Sequence, residues 1–397
     1  MKVALVNVKY SPNLGDGLIA ECLEWALGQR LSGASFASVD LAGRTGFDSA
    51  SGAGRGRALA MLAKLPQPFR QMAVSAILRT LISARYTSIW SAQLETCDRV
   101  LLGGGQLLGD ADLNFPIKIG AVASLARQRG LPSAVFGVGV SKDWSPGGER
   151  LFRRALSTLA PSYVAVRDAA SVANWQSHFA EAGLPPARLC RDPGLLAAEV
   201  YPVPERPRRD RRLVGVGIVN PLTLNLHSHG TPVSDAHARS AWTAMIAALI
   251  ASDLDVALFT NGPSDDERFL EEVLATAEPG AAQRVTRLPR PAIPADLVRN
   301  IAGCDALVAH RLHACITAFA CKVAHVGLGW DAKLPAFFAS VGRHDFVLGM
   351  LQDVPPACVA DAVVKAIAQP VPAETYSTAI AETWAGIDAC AAALATL

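Results

Sequence analysis

The sequence predicts an α/β protein of two Rossmann-like domains, each built on a parallel sheet. Three observations carry this. Short, almost wholly apolar runs alternate with segments of helical periodicity, the pattern of parallel strands covered on both faces. The alternation breaks at residues 200–212, "VYPVPERPRRDRR", where prolines and charges cluster, and then restarts. The 397 residues are 51% hydrophobic and only 18% charged, which is enough for two separate cores. The expected division is an N-terminal domain over 1–199, a linker over 200–212 and a C-terminal domain over 213–397. The last helix is expected to pack back on the N-terminal domain.

Taken in order, "KVALVNV" (Lys2–Val8) is a Val-rich buried strand. The turn "SPNLGDG" leads into a helix over 18–27, with Leu18, Ile19, Cys22, Leu23 and Ala26 on one face and Gly28 as its stop. "DRVLLGGG" (98–105) is the next strand. Pro116 opens a helix that Gly130 closes, and "SAVFGVGV" (133–140) and "YVAVRD" (163–168) follow as strands, the latter leading into helix 169–180. After the break come strand 213–219, helix 236–251, strand 255–261, helix 265–276 and a short strand near Arg284–Leu288. Helix 294–302, strand 306–309, a helix from about 311 and strand 322–328 complete the pattern.

Residues 43–90 depart from it. "FRQMAVSAILRTLISARY" places Phe69, Met72, Ala73, Ile77, Leu81 and Ala84 at helical spacing. Arg44, Arg55, Arg57, Lys64, Arg70, Arg79 and Arg85 face a single acid, Asp48. The expected arrangement is a helical flap packed on its own domain with solvated arginines; the other reading is peripheral contact with an anionic membrane surface.

Composition excludes several classes. A formal charge of +2 gives no reason to expect nucleic acid. Apolar runs such as Ile246–Ile250 are too short to span a bilayer, and the start does not read as a signal peptide. The eight cysteines are scattered, most of them in helical patterns (Cys22, Cys304, Cys315), as buried thiols of a reducing cytoplasm would be, and none is spaced as a zinc site. The expectation is a cytoplasmic protein without a metal.

The chemistry-bearing stretches follow strands. "NLGD" lies at the carboxyl end of the first strand, where open α/β sheets bind ligands. There Gly15 lets the backbone turn closely, and Asn13 and Asp16 offer polar groups to hydroxyls, although Asp16 could equally cap the helix. "LLGGGQLLGD" fits neither a dinucleotide fingerprint nor a Walker loop. Gly104 and Gly105 read as part of a ligand-facing loop, because one glycine would suffice for a turn. "VRDAAS" puts Arg167 at a strand end as an anion ligand or salt-bridge partner, and Asp192 sits in a turn before Pro193.

"VAHRLHACITAFACK" (308–322) carries the sharpest signal. Arg311 and His313 fall in a first helical turn, where free N–H groups and the dipole attract anions. Arg offers a planar fork for phosphate or carboxylate, and His a proton exchangeable near neutral pH. An uncompensated Arg at this place opposes the dipole, and an anion would resolve the conflict. His310 reads as a core residue, and Arg311 as an interdomain salt bridge is the competing assignment. Downstream, "WDAK" places Asp331 and Lys333 at the head of another helix, as a second cation or as a plain cap.

"NLGD", "LLGGG", "GVGV", "VRDAAS", "DP" at 192–193, "RLHA" at 311–314 and "WDAK" at 330–333 resemble, in this order, the polysaccharide pyruvyltransferase family. The insertion at 43–90 and His310, where a small residue such as Ser is more usual, depart from the family pattern. The resemblance implies a GT-B-like two-domain fold and transfer of pyruvate from phosphoenolpyruvate (PEP) to a saccharide as a cyclic ketal, with PEP as co-substrate and no further cofactor. It implies that Arg311 and His313 are PEP-site residues. Lys333 and Arg167 are then available as further cations, and Asp16 or Asp192 to orient a sugar hydroxyl. A lipid-linked acceptor would give the basic insertion a purpose at the inner face of the plasma membrane. The alternatives are a GT-B-type glycosyltransferase using a nucleotide sugar, and a non-catalytic saccharide-binding protein.

Overall fold

In the computed structural model, which describes residues 1–50, 66–227, 232–276 and 282–397, the chain forms two compact units, each around its own six-stranded parallel sheet. The first unit comprises Met1–Ser11, Ile19–Pro193 and Ala381–Leu397; the second comprises Pro12–Leu18 and Gly194–Ile380. The alternating apolar pattern therefore yields the expected α/β class in both units.

In the first unit the strands are β1 (Lys2–Asn7), β2 (Ser35–Asp40), β3 (Arg99–Gly103), β4 (Ser133–Val138), β5 (Tyr163–Val166) and β6 (Arg188–Leu189), in the order β2-β1-β3-β4-β5-β6. Sequence reasoning does not find β2. "SFASVD" is polar because β2 is an edge strand: Phe36, Ala37 and Ser38 stay partly exposed, and only its end is buried. Its register on β1, Lys2↔Ser35 through Asn7↔Asp40, makes up for its weak pattern. Helix Pro146–Leu159 is also missed; its Pro-Gly-Gly start looks like a loop, yet Ser145 caps it by accepting from the Gly148 N–H at 3.1 Å.

The first helix runs over Leu14–Arg30, not 18–27. Gly28 does not stop it; a glycine within a helix costs only about 1 kcal/mol. Nor is 200–212 a free linker. Arg206 donates to the carbonyls of Ala302, Cys321 and Lys322, and Arg212 pairs with Asp305 at 3.2 Å. Upstream, Leu195 packs with Ile316 and Phe319 of the second unit, so the chain changes unit at Pro193–Gly194. The last helix, Ala373–Thr396, is divided at Ile380, and Ala381 onward belongs to the first unit.

From Gln67 on the insertion is helical: helix Gln67–Leu81 passes through a π-turn, Ile82–Tyr86, into helix Thr87–Glu95. Its apolar face, however, is not packed down. Phe69 is 63% and Met72 69% exposed, with Ile77 and Leu81 also outside. Arg44 is tied to Asp40 and Arg70 to Asp112, so these two arginines are not freely solvated. Arg55, Arg57 and Lys64 lie outside the described residues.

In the second unit β7 (Leu213–Gly217), β8 (Asp255–Phe259), β9 (Val285–Arg287), β10 (Ala306–Ala309), β11 (Ala324–Leu328) and β12 (Val347–Leu348) are ordered β12-β11-β10-β7-β8-β9. The winding reverses between β7 and β10. At such a switch point the loops beyond the carboxyl ends of the strands part and leave a crevice.

Among the described residues of this unit, His310 and His325 are fully buried. His310 Nδ1 is 2.8 Å from the Leu328 carbonyl and its ring stands edge-on to Trp242; His325 Nδ1 is 2.9 Å from the Val323 carbonyl, among Phe319 and Phe338. Burial pushes both imidazoles down to about 4 from the usual 6.5. They stay neutral in the folded chain but take up protons near pH 6.5 once unfolded. Their stabilisation is therefore complete above pH 6.5 and is lost as pH falls from there towards about 4, at about 1.4 kcal/mol per pH unit for each histidine. Urea unfolding of the full chain between pH 7.5 and pH 5 should show this slope. His325→Gln should flatten it, whatever its effect on stability at neutral pH.

Candidate functional site

The second unit's switch point collects polar groups from four separate places in the sequence. From β10 the chain passes through His310 and Arg311 into helix Leu312–Ala320. Arg311 takes the cap position in an extended conformation (φ −77°, ψ 121°), and its side chain does no capping. Its Nη2 donates to Asp266, which lies in the first turn of helix Ser264–Leu274, after β8. The other Asp266 oxygen accepts from the Asn220 N–H at 2.9 Å, just beyond β7. The pair is desolvated, with the Asp266 side chain 1% and the Arg311 side chain 11% exposed. Complete burial pushes the Asp266 carboxyl up, while Arg311 and the Asn220 N–H pull it back.

This corrects the expectation that Arg311 is an uncompensated cation awaiting an anion, and equally the interdomain salt bridge. Asp266 compensates it from within the same unit. One donor is still unanswered. The Arg311 Nε–H is buried and finds no acceptor among the described residues, and buried donors seldom stay so without a ligand or water.

The fourth contributor comes from the start of the chain. Pro12–Leu18 belongs to the second unit although the rest of its helix belongs to the first. It is seated on the loop after β8: the Leu14 N–H donates to the Asn261 carbonyl at 2.9 Å, and Asn261 Nδ2 donates to Asn13 Oδ1 at 3.3 Å. Gly262 (φ +107°) faces the Pro12 carbonyl, and its own carbonyl accepts from Arg290 Nε and Nη2 at 3.0 and 2.7 Å. A side chain there would meet Pro12 backbone at 2.9 Å, so only glycine fits.

Gly15 then comes against His313. A Cβ added at Gly15 would lie 2.7 Å from His313 Cβ and 3.1 Å from Nδ1. Its role is to make room for the histidine, rather than to turn the backbone. Asp16, next in the chain, is half-buried inside the helix, and its N–H donates to the Asn13 carbonyl at 3.0 Å. It is not the helix cap. Asn13, Gly15, Asp16, Arg311 and His313 are thus brought into one unit, from opposite ends of the sequence.

Lys333 and Asp331 follow the neighbouring strand β11. Asp331 Oδ1 accepts from the Lys333 and Leu334 N–H groups, and Lys333 Nζ pairs with Asp331 Oδ2 at 3.1 Å. This is the plain cap, with a lysine only about one-third exposed whose charge is locally answered.

The remaining expected residues belong to the first unit. Gly104 and Gly105 have φ of +77° and +75°, and at Gly103 a Cβ would meet Leu23 at 2.8 Å. Gly104 and Gly105 are called for by left-handed backbone and Gly103 packs closely on Leu23, so the run does not by itself indicate a ligand. Arg167 is buried and spends its donors on Gln106 (2.7 Å) and Asp168 (3.4 Å), with Asp192 at 3.9 Å. It is a local hub and not an open anion ligand. Sequence reasoning misses Asn220, Asn261, Asp266 and Arg290. For Asn261 and Asp266 the signal was present in "TNGPSDDER" (260–268), a turn dipeptide and three acids directly after a parallel strand.

Removing one partner of the buried pair should be costly. Asp266→Ala leaves Arg311 buried and uncompensated and should lower stability by about 3 kcal/mol, read from the urea midpoint. Asp266→Ala combined with Arg311→Met should recover part of that loss.

A family model described as polysaccharide pyruvyl transferase matches residues 13–332. No curated protein matches the chain. Among solved structures, Methanocaldococcus jannaschii UDP-GlcNAc 2-epimerase in complex with UDP-GlcNAc and UDP is similar, with a TM-score of 0.55 and 10% identity over 96% of this chain and 98% of that one. The S. aureus MnaA–UDP structure is similar with a TM-score of 0.51 and 11% identity, over 96% and 91% of the two chains. E. coli ADP-heptose LPS heptosyltransferase II aligns over 93% of this chain and 99% of that one, with 14% identity and a TM-score of 0.43. At such identities the likeness concerns the fold, a GT-B-like pair of α/β domains. The family match takes in both "NLGD" and "RLHA", whose residues meet at Gly15 and His313, and the chain belongs to the polysaccharide pyruvyl transferase family.

Proposed function

We propose that this family member transfers pyruvate from PEP to two hydroxyls of a saccharide as a cyclic ketal, with the PEP site at Arg311 and His313. The observation that carries this reading is the close approach of His313, two residues beyond Arg311, to Gly15 of the Asn13–Asp16 segment, in the first turns of two helices. A helix start supplies N–H groups for the phosphate or carboxylate, and the unanswered Arg311 Nε–H supplies a directed charged donor. Asp266 holds the guanidinium in place, so the ligand need not pay to order it.

Four bond changes make up the reaction. Protonation of the PEP methylene carbon leaves an oxocarbenium-like centre at C2, which the first sugar hydroxyl attacks. The C2–O bond to phosphate then breaks, and the neighbouring hydroxyl closes the ring on C2. Two hydroxyl protons are released: one replaces the proton given to carbon, and the other leaves with phosphate. His313 is the proposed general acid and later base. Asp16, a residue from Gly15, is the proposed group that orients or deprotonates the acceptor. Lys333 and Asp331 at the head of the next helix, and Arg167 and Asp192 in the first unit, have local partners of their own, and the donor site proposed here does not use them. The acceptor is a glycan precursor whose sugar remains to be identified by assay.

Thermal unfolding with PEP is the direct test. At a hundred times its Kd, PEP should stabilise the chain by about 2.7 kcal/mol. Arg311→Ala should abolish the shift; His313→Ala should keep it while losing turnover by about a thousandfold. A chain indifferent to PEP but stabilised by a nucleotide sugar would replace this reading with glycosyl transfer.

Gly15→Ala forms a second test. The added Cβ meets His313 Cβ, not a movable ring end, so the two helix starts must part. Turnover should fall by about a hundredfold for a shift of about 1 Å, while the overpacking lowers stability by only about 1–3 kcal/mol and leaves the chain folded.

A further inference from the structure

Helix Gln67–Leu81 is amphipathic in the reverse sense for a helix that covers a core. Gln71 and Ser75 lie half-buried with Val74 and Leu78 on its inner side, and Phe69, Met72, Ala76 and Ile77 lie outside with Leu81. A row of large apolar side chains this exposed marks an interaction surface. The helix is nevertheless held firmly. Arg70 pairs with Asp112 at 2.8 Å, and further along the helical run Trp90 is fully buried and donates to the Asp40 carbonyl at 2.8 Å.

Charge selects the partner. From Pro66 to Leu94 the sequence contains no acid. Arg79 and Arg85 are exposed and have no ion-pair partner among the described residues. A long apolar row flanked by arginines and free of carboxylates suits a surface with an apolar interior and an anionic face. We infer that the outer face of residues 69–85 docks in the plane of an anionic phospholipid bilayer, with Phe69, Met72, Ile77 and Leu81 entering the acyl boundary and Arg79 and Arg85 at the headgroups. The inference is independent of the donor assigned above. It would keep the chain at a membrane on which lipid-borne saccharides are presented.

The test is sedimentation of the full chain with vesicles of phosphatidylcholine alone and of phosphatidylcholine and phosphatidylglycerol in equal parts. The chain should sediment with the anionic vesicles, remain free of the neutral ones, and be released as salt rises. Arg79→Gln with Arg85→Gln should weaken partitioning by roughly twenty-five-fold, fivefold for each arginine. Met72→Glu should weaken it by at least about tenfold with an unchanged unfolding temperature, since the side chain is exposed. A wild-type chain that ignores anionic vesicles at low salt would overturn the proposal, as would a Met72→Glu chain that binds them equally. Self-association without lipid that Met72→Glu abolishes would also overturn it, by giving the face to a second copy of the chain.

Discussion

A carboxylate with almost no access to water cannot stay charged unless something answers it, and Asp266 is answered by Arg311 and the Asn220 N–H. Each partner enters from a different strand end: Asn220 beyond β7, Asp266 beyond β8 and Arg311 beyond β10. The ion pair therefore fixes three loops at the point where the sheet's winding reverses. As a source of net stability it is weak, because desolvation of both ions offsets most of their attraction. Its value is positional. It holds in place a guanidinium whose buried Nε–H has no acceptor among the described residues.

Space is controlled as tightly as charge. Gly15 leaves no room for a Cβ beside His313, and Gly262 leaves none beside the Pro12 backbone. These two close approaches seat the first turn of helix Leu14–Arg30 on the second unit, while the body of that helix belongs to the first. The glycines near strand ends that were expected to mark ligands are here accounted for by packing and backbone conformation. Gly15 matters to the candidate site because of what stands beside it. Gly103, Gly104 and Gly105 are explained by Leu23 and by left-handed backbone.

The fold class was legible because parallel strands covered on both faces leave an unmistakable apolar run, and β1, β3, β4, β7, β8 and β10 all do so. The edge strand β2 was not, since an edge has only part of its surface to bury. Boundaries failed for a related reason: the end of a helix or a unit is decided by tertiary contacts such as Leu14 to Asn261 or Arg206 to three carbonyls, and these have no local signature. In the site, Arg311 and His313 could be picked out because charged residues following an apolar strand are conspicuous. Asp266 could not be assigned to Arg311, because an ion pair spanning 45 residues is invisible to periodicity.

The two arginine-bearing features obey opposite rules, and that contrast is informative. Arg311, Arg44 and Arg70 each have a carboxylate partner, as expected wherever a cation serves to hold structure. Arg79 and Arg85 have none among the described residues, and they flank apolar side chains that a folded chain ordinarily hides. Neither feature alone distinguishes a solvated surface from a docking face, since single exposed apolar residues and single unpaired arginines are both common. Together on one helix, with no acid between Pro66 and Leu94, they leave a face whose apolar area is unfavourable in water and whose charge is unneutralised. An anionic bilayer relieves both at once, whereas packing on the chain's own core would relieve only the first.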